Sequence, residues 1–175
     1  GKVHEESGDK ASAATHYGRA VEVLLEHPDP DNPTLSVEIF EKIKEIALEL
    51  EKHGIQSYFV GGMVRDEIMG IPTQDYDICF TGVKDIQKVE EILLKHCESV
   101  TSLVGAKFPV WIGKIDEYTI DFAIARKETL NGSTRKDFDI VTEDVTIEED
   151  LRMRDFTINA IAKEVISNTY VDPYY

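Results

Sequence analysis

Cysteine is scarce in this chain of 175 residues, and the two that occur form no pattern. Cys79 and Cys97 have neither CxxC spacing nor a histidine pair beside them, which excludes a disulfide framework and a zinc site. Both are expected to be reduced core thiols. Basic residues are also in short supply, since 19 Lys and Arg against 34 Asp and Glu leave a net charge of −15. Affinity for nucleic acid comes largely from Lys and Arg contacts to phosphate, so this chain alone is expected to hold RNA poorly. No run of about 18 apolar residues occurs, which excludes a helical membrane span. The acidic, His-containing N-terminal stretch is unlike a secretory signal or an Arg-rich transit peptide, and a cytoplasmic location is the expectation.

What the chain does have is a globular composition, 42% hydrophobic, and a length suited to one domain with a proper core. Its most informative stretch is Tyr58 to Gly82, YFVGGMVRDEIMGIPTQDYDICFTG. Tyr58 to Val60 reads as a strand, Gly61-Gly62 as a tight turn with exposed backbone, and Met63 to Met69 as a helix whose N-terminal amides face that turn. An anionic triphosphate suits such a place. Beyond Gly70 and Pro72 a second strand opens with Asp75 and Asp77, two residues apart and therefore on one face. Neighbouring carboxylates repel unless one holds a proton or both share cations. Mg²⁺ is the better reading, because it binds through one or two carboxylates together with substrate phosphates.

Farther on, strands are expected near Glu98 to Leu103, Val110 to Ile115 and Tyr118 to Arg126. In the last of these Ile120, Phe122 and Ile124 alternate with Thr119, Asp121, Ala123 and Ala125, placing Asp121 on the less bulky face as a third carboxylate. Helices are expected from Ser36, as N-cap, to about His53, and from Lys84 to His96, packed side by side. Lys127 to Thr146, polar and turn-rich, reads as a mobile loop over the cleft, Asp155 to Ala162 as a short helix and Lys163 to Val171 as a final strand.

The sequence GGMVRD, a short helix ending at Gly70, and then DYD together resemble the catalytic head of the class II nucleotidyltransferases. This family contains the CCA-adding tRNA nucleotidyltransferases and the bacterial poly(A) polymerases. EEDLRMRDFTINAIA, Glu148 to Ala162, is similar to the second head motif of that family, with Met153 where an arginine is usual. The resemblance implies an α/β (α+β) fold, a polymerase β-like head with a mixed β-sheet flanked by helices. It implies a head over residues 36–175, with neck, body and tail segments outside this chain; residues 1–35 do not share the resemblance, and the helical spacing of Ala14, Tyr17, Val21, Leu24 and Leu25 makes them read as a helix plus linker. The implied activity is template-independent addition of CCA, or part of it, to tRNA 3′ ends. In it a 3′-hydroxyl attacks the α-phosphate of ATP or CTP and pyrophosphate leaves. Poly(A) addition, and a non-catalytic nucleotide- or RNA-binding role, are the alternatives.

Within that reading Asp75 and Asp77 hold Mg²⁺, two ions per site, and Asp121 completes the cluster or helps deprotonate the primer hydroxyl. Gly61, Gly62, Arg65 and Arg154 are expected around the triphosphate, with Asp66 orienting Arg65. By resemblance, Asp155 and Asn159 contact ribose or support the cradle, and Arg152 is expected to be exposed.

Overall fold

The computed structural model describes residues 37–73, 75–103, 108–130 and 138–175; residues 1–36, with the Ser36 cap and the 1–35 extension, lie outside them. Apolar side chains at helical spacing build α1 (Val37–Glu51), which buries Ile39, Ile43, Ile46, Ala47 and Leu50. Next come β1 (Gln56–Val60) and α2 (Gly62–Met69), which ends at Gly70 in the left-handed conformation, φ 67°. After β2 (Tyr76–Thr81), α3 (Ile86–His96) starts where the Asp85 carboxylate accepts from the amides of Gln87 and Lys88, at 3.0 and 3.3 Å. As the sequence suggests, α3 lies against α1, and Lys95 and His96 both reach Glu49, at 2.7 Å each.

Three further strands, β3 (Ser99–Ser102), β4 (Val110–Ile115) and β5 (Tyr118–Ile124), fall close to the expected bounds. Among the described residues, part of the region expected as a loop is extended instead: β6 (Lys127–Leu130) pairs antiparallel with β7 (Phe138–Val141). Thr129, Ile140 and Val141 carry β-branched side chains that suit an extended backbone, a preference that the polar composition between them hides. The expected helix over Asp155 to Ala162 is also displaced. A helical turn, α4 (Ile147–Leu151), precedes it, closed by reciprocal Thr146 and Glu149 capping bonds, and only a 3₁₀ turn (Thr157–Asn159) follows. The final segment forms two short antiparallel strands, β8 (Ala162–Glu164) and β9 (Tyr170–Val171), reversed near Asn168, φ 58°.

Seven strands form one mixed sheet in the order β3-β4-β5-β2-β1-β8-β9, and β2 with β5 is its parallel pair. Alternation along the central strands gives the sheet two unlike faces. One carries Phe59, Ile78, Phe80, Ile120, Phe122 and Ile124 into the main core with α1, α2 and α3. The other carries Tyr58, Val60, Cys79 and Ala162 into a smaller core under Val145, Ile147 and Leu151. The main core anchors the sheet, and the smaller one leaves room for a cavity. No helix among the described residues is long and apolar enough to cross a membrane.

One charged pair lies within this scaffold. Lys163 on β8, 5% exposed, forms an ion pair with Glu67 of α2 and sits 5.6 Å from the Tyr170 ring centroid and 6.0 Å from that of Phe40. Removing one partner of a buried pair strands the other charge, whereas removing both does not. Lys163→Met is therefore expected to destabilise the protein by roughly 3 kcal/mol, and Glu67→Gln/Lys163→Met to recover much of that loss. Urea unfolding of the two variants checks it; a double variant no more stable than the single one refutes the pairing argument.

Candidate active site

The parallel register sets Asp77 of β2 directly beside Asp121 of β5, and their side chains leave the sheet on the same face. The pair stands in a cavity of about 570 Å³ whose lining includes Cys79, Arg126, Asp150, Met153, Arg154, Asp155, Phe156 and Asn159. Burial, and then the Asp121 charge, push the Asp77 carboxyl above its ordinary value, while Arg154 pulls in the opposite direction. Asp77 is half-buried and Asp121 exposed, so the two carboxylates stand at the mouth of the site with their charges unpaired by each other. Asp75, one residue before β2 and exposed, adds its charge to the field at Asp77 without lining the cavity. Its amide donates to Thr73 Oγ1 at 3.3 Å. Among the described residues no three His, Cys, Asp or Glu side chains gather into a self-contained metal cage. Cys79 lies at the cavity floor, and burial raises its thiol far above the ordinary value, so it stays an uncharged filler.

Gly61 is the tightest point of the turn. Its φ of 74° and ψ of −140° suit glycine alone, and a Cβ there would stand 3.1 Å from Arg154 Nη1 and 3.4 Å from Asp77 Oδ2. This bare backbone lets the Arg154 guanidinium approach the carboxylate strand. Gly62, the first residue of α2, is less confined, since a Cβ would meet Arg65 Nη2 at 3.4 Å, an ordinary contact.

The cations have different duties. Arg65 is engaged at each of its three guanidinium nitrogens: Nε donates to Asp66 Oδ1 at 2.8 Å, Nη2 lies 2.7 Å from the same oxygen, and Nη1 donates to Asn159 Oδ1 at 2.9 Å. It ties α2 to the 3₁₀ turn, and Asp66 orients it as the sequence suggests. Arg154 projects into the cavity, with Nη2 3.4 Å from Asp150 Oδ2 and Nε buried without a hydrogen-bond partner. Asp155 is exposed at the rim, and Arg152 is exposed as expected.

Two lining residues were not singled out from the sequence. Asp150, 9% exposed, accepts from the Arg126 amide at 3.0 Å through Oδ1 and holds Arg154 through Oδ2. Its place four residues before Arg154 is the available sequence signal, being the spacing of helical ion pairs. Arg126 follows the strand that carries Asp121, and its guanidinium lies 3.7 Å from the Phe108 ring centroid.

A family profile described as "Poly A polymerase head domain" matches residues 57–175 of this chain. The chain belongs to that family. A Multifunctional CCA protein of Xylella fastidiosa (strain 9a5c) is 42% identical over 124 residues, 69% of this chain and 27% of that protein. The Thermotoga maritima CCA-adding enzyme, solved in complex with tRNA, superposes with a TM-score of 0.59 at 25% identity, over 79% of this chain and 30% of its own. A CCA-adding enzyme in an apo form gives a TM-score of 0.69 at 24% identity over 89% of this chain and 35% of its own, which shows the fold. This poly A polymerase head chain thus spans about a quarter of the length of the curated relatives it matches.

Gly61→Ala is expected to lower stability by about 1–3 kcal/mol, since an L residue is strained there and its Cβ displaces Arg154, while Gly62→Ala is nearly neutral. Paired thermal melts of the two variants decide it, and equal losses would count against the special role of Gly61. For Asp77→Asn the melting temperature in EDTA is expected to hold or rise, because a half-buried carboxylate repelled by Asp121 is replaced by a neutral isostere. A drop of more than a few degrees would mark Asp77 as a structural residue.

Proposed function

We propose that this chain is the catalytic head of a template-independent RNA nucleotidyltransferase, transferring nucleotides from CTP and ATP to the 3′ end of tRNA. The observation that carries the reading is the in-register Asp77 and Asp121 pair in a cavity shared with Arg154. The acceptor follows from likeness to relatives named CCA-adding and to the tRNA-bound Thermotoga maritima enzyme.

Mg²⁺ fits the donors present, which are hard carboxylate oxygens too few to enclose an ion, leaving room for water and phosphate oxygens. Asp77 and Asp121 would hold it, with Asp75 adding charge from the edge. When bound, the ion polarises the α-phosphate and makes the attacking hydroxyl more acidic.

The protein's own share is positioning and charge. Arg154 faces the phosphates with its unpartnered Nε and offsets charge that builds on the leaving pyrophosphate. Gly61 keeps the backbone low enough for that approach. Arg65, held by Asp66, braces Asn159, so that Asn159 and Asp155 present polar groups at the rim for the ribose. Asp121, in register with Asp77, would help deprotonate the primer hydroxyl.

Poly(A) addition is the second reading, favoured by the description of the matched family. Incubation of the full-length protein, head together with the segments that follow it, with Mg²⁺, labelled CTP or ATP, and tRNA trimmed of its terminal CCA separates the two. CMP and AMP incorporation that stops after the missing residues is expected, and Asp77→Asn should reduce it at least about a hundredfold. Repeated AMP addition to any RNA 3′ end supports the second reading, and absence of transfer under all conditions refutes both.

The polar side chains of the lining are carboxylates, guanidiniums and an amide engaged with Arg65, groups better suited to phosphate, ribose and cation than to a base edge, and the apolar rest carries no donor or acceptor pattern. Calorimetric affinities for ATP, CTP, GTP and UTP in Mg²⁺ are therefore expected to spread by less than tenfold, about 1.4 kcal/mol. A clear preference for CTP and ATP would locate base recognition within this chain.

A further inference from the structure

Arg154 and Arg126 are the two arginines lining the cavity, and only one of them is paired. Arg154 has Asp150 as its carboxylate partner, whereas Arg126 makes no ion pair among the described residues. A guanidinium sharing a cavity with Asp77 and Asp121 would be drawn toward them unless something held it back. The Phe108 ring holds it, through a stack at 3.7 Å. Its backbone is fixed too, by the amide bond to Asp150 Oδ1 at 3.0 Å. The same buried carboxylate therefore anchors the main chain of one arginine and the side chain of the other. Lys127, next in sequence, is spent on Glu149 at 3.0 Å, and Met153 on the cavity wall brings no charge.

We propose that Arg126 is a phosphate-contacting residue that, with Arg154, clamps the phosphates of the bound nucleoside triphosphate. This rests on the nucleotidyltransferase reading and deepens it. A planar guanidinium offers several donors in a fixed fork, and stacking on an aromatic face reduces the freedom it must lose on binding. A polyphosphate carries several charges within a short span, which matches two arginines organised around one carboxylate. Arg65 is left as a strut between α2 and the 3₁₀ turn.

The test is calorimetric titration of the chain, in Mg²⁺, with ATP, with inorganic tripolyphosphate and with a short single-stranded RNA. Arg126→Met retains the side-chain stem against Phe108 and removes the charge; Arg126→Lys retains a charge without the fork. For Arg126→Met, ATP and tripolyphosphate are expected to bind roughly ten- to a hundredfold more weakly, the range for a lost charge-assisted hydrogen bond, at an unchanged melting temperature. Arg126→Lys should recover part of the loss. Affinities within twofold of wild type, or a loss confined to the RNA, overturn the assignment and leave the nucleotidyltransferase reading standing. If the wild-type chain binds neither ATP nor tripolyphosphate, that reading fails and the clamp with it. Should Arg126→Met melt early, Arg126→Gln repeats the comparison.

Discussion

The parallel pairing of β2 with β5 is the constraint on which the rest of this structure depends. It aligns Asp77 with Asp121, two carboxylates that would separate if the strands were free to slide. Sliding is prevented from the opposite face. Ile78 and Phe80 on β2, and Ile120, Phe122 and Ile124 on β5, are buried in the main core, and a shift of one residue would exchange them with the acidic face. Each strand is also bonded on its other side, β2 to β1 and β5 to β4. Apolar burial thus supplies the force that holds like charges together, and the site inherits its geometry from packing it never touches.

Charge on the opposite wall is organised with similar economy. Asp150 is buried where an unpaired carboxylate would be unstable, and it is satisfied by an amide and a guanidinium from separate segments. That links the end of the β5 strand to the segment after α4, closing the cavity between them. Gly61 completes the enclosure by the absence of a side chain, since any Cβ would press on Arg154 and Asp77 together.

Much of this was legible in the residues. The Gly61-Gly62 turn, the strand parity of Asp121 and the three helices α1 to α3 follow from short-range rules of spacing, and the structure reproduces them. What escaped depends on contacts between distant segments. Arg65 looked available because sequence shows its neighbour Asp66 but not Asn159, 94 positions away. Arg126 and Asp150 were passed over for the same reason, because their bond joins parts of the chain 24 residues apart. The β6–β7 hairpin was taken for a loop because polar strand residues weaken the alternation that marks half-buried strands.

The net charge of −15 acquires a local meaning once the cavity is counted. Asp77, Asp121, Asp150 and Asp155 line it against Arg126 and Arg154, so carboxylates exceed guanidiniums by two. A triphosphate entering that field alone meets net repulsion, whatever the arginines offer. A divalent cation held by Asp77 and Asp121 would reverse the sign of the local field. In the proposed reaction, cation and triphosphate would each create the favourable half of the other's environment, and their binding would be mutually reinforcing by the same factor in both directions. On the proposed reading, the surplus of carboxylates in the cavity would favour the metal-complexed form of the nucleotide over the free polyanion.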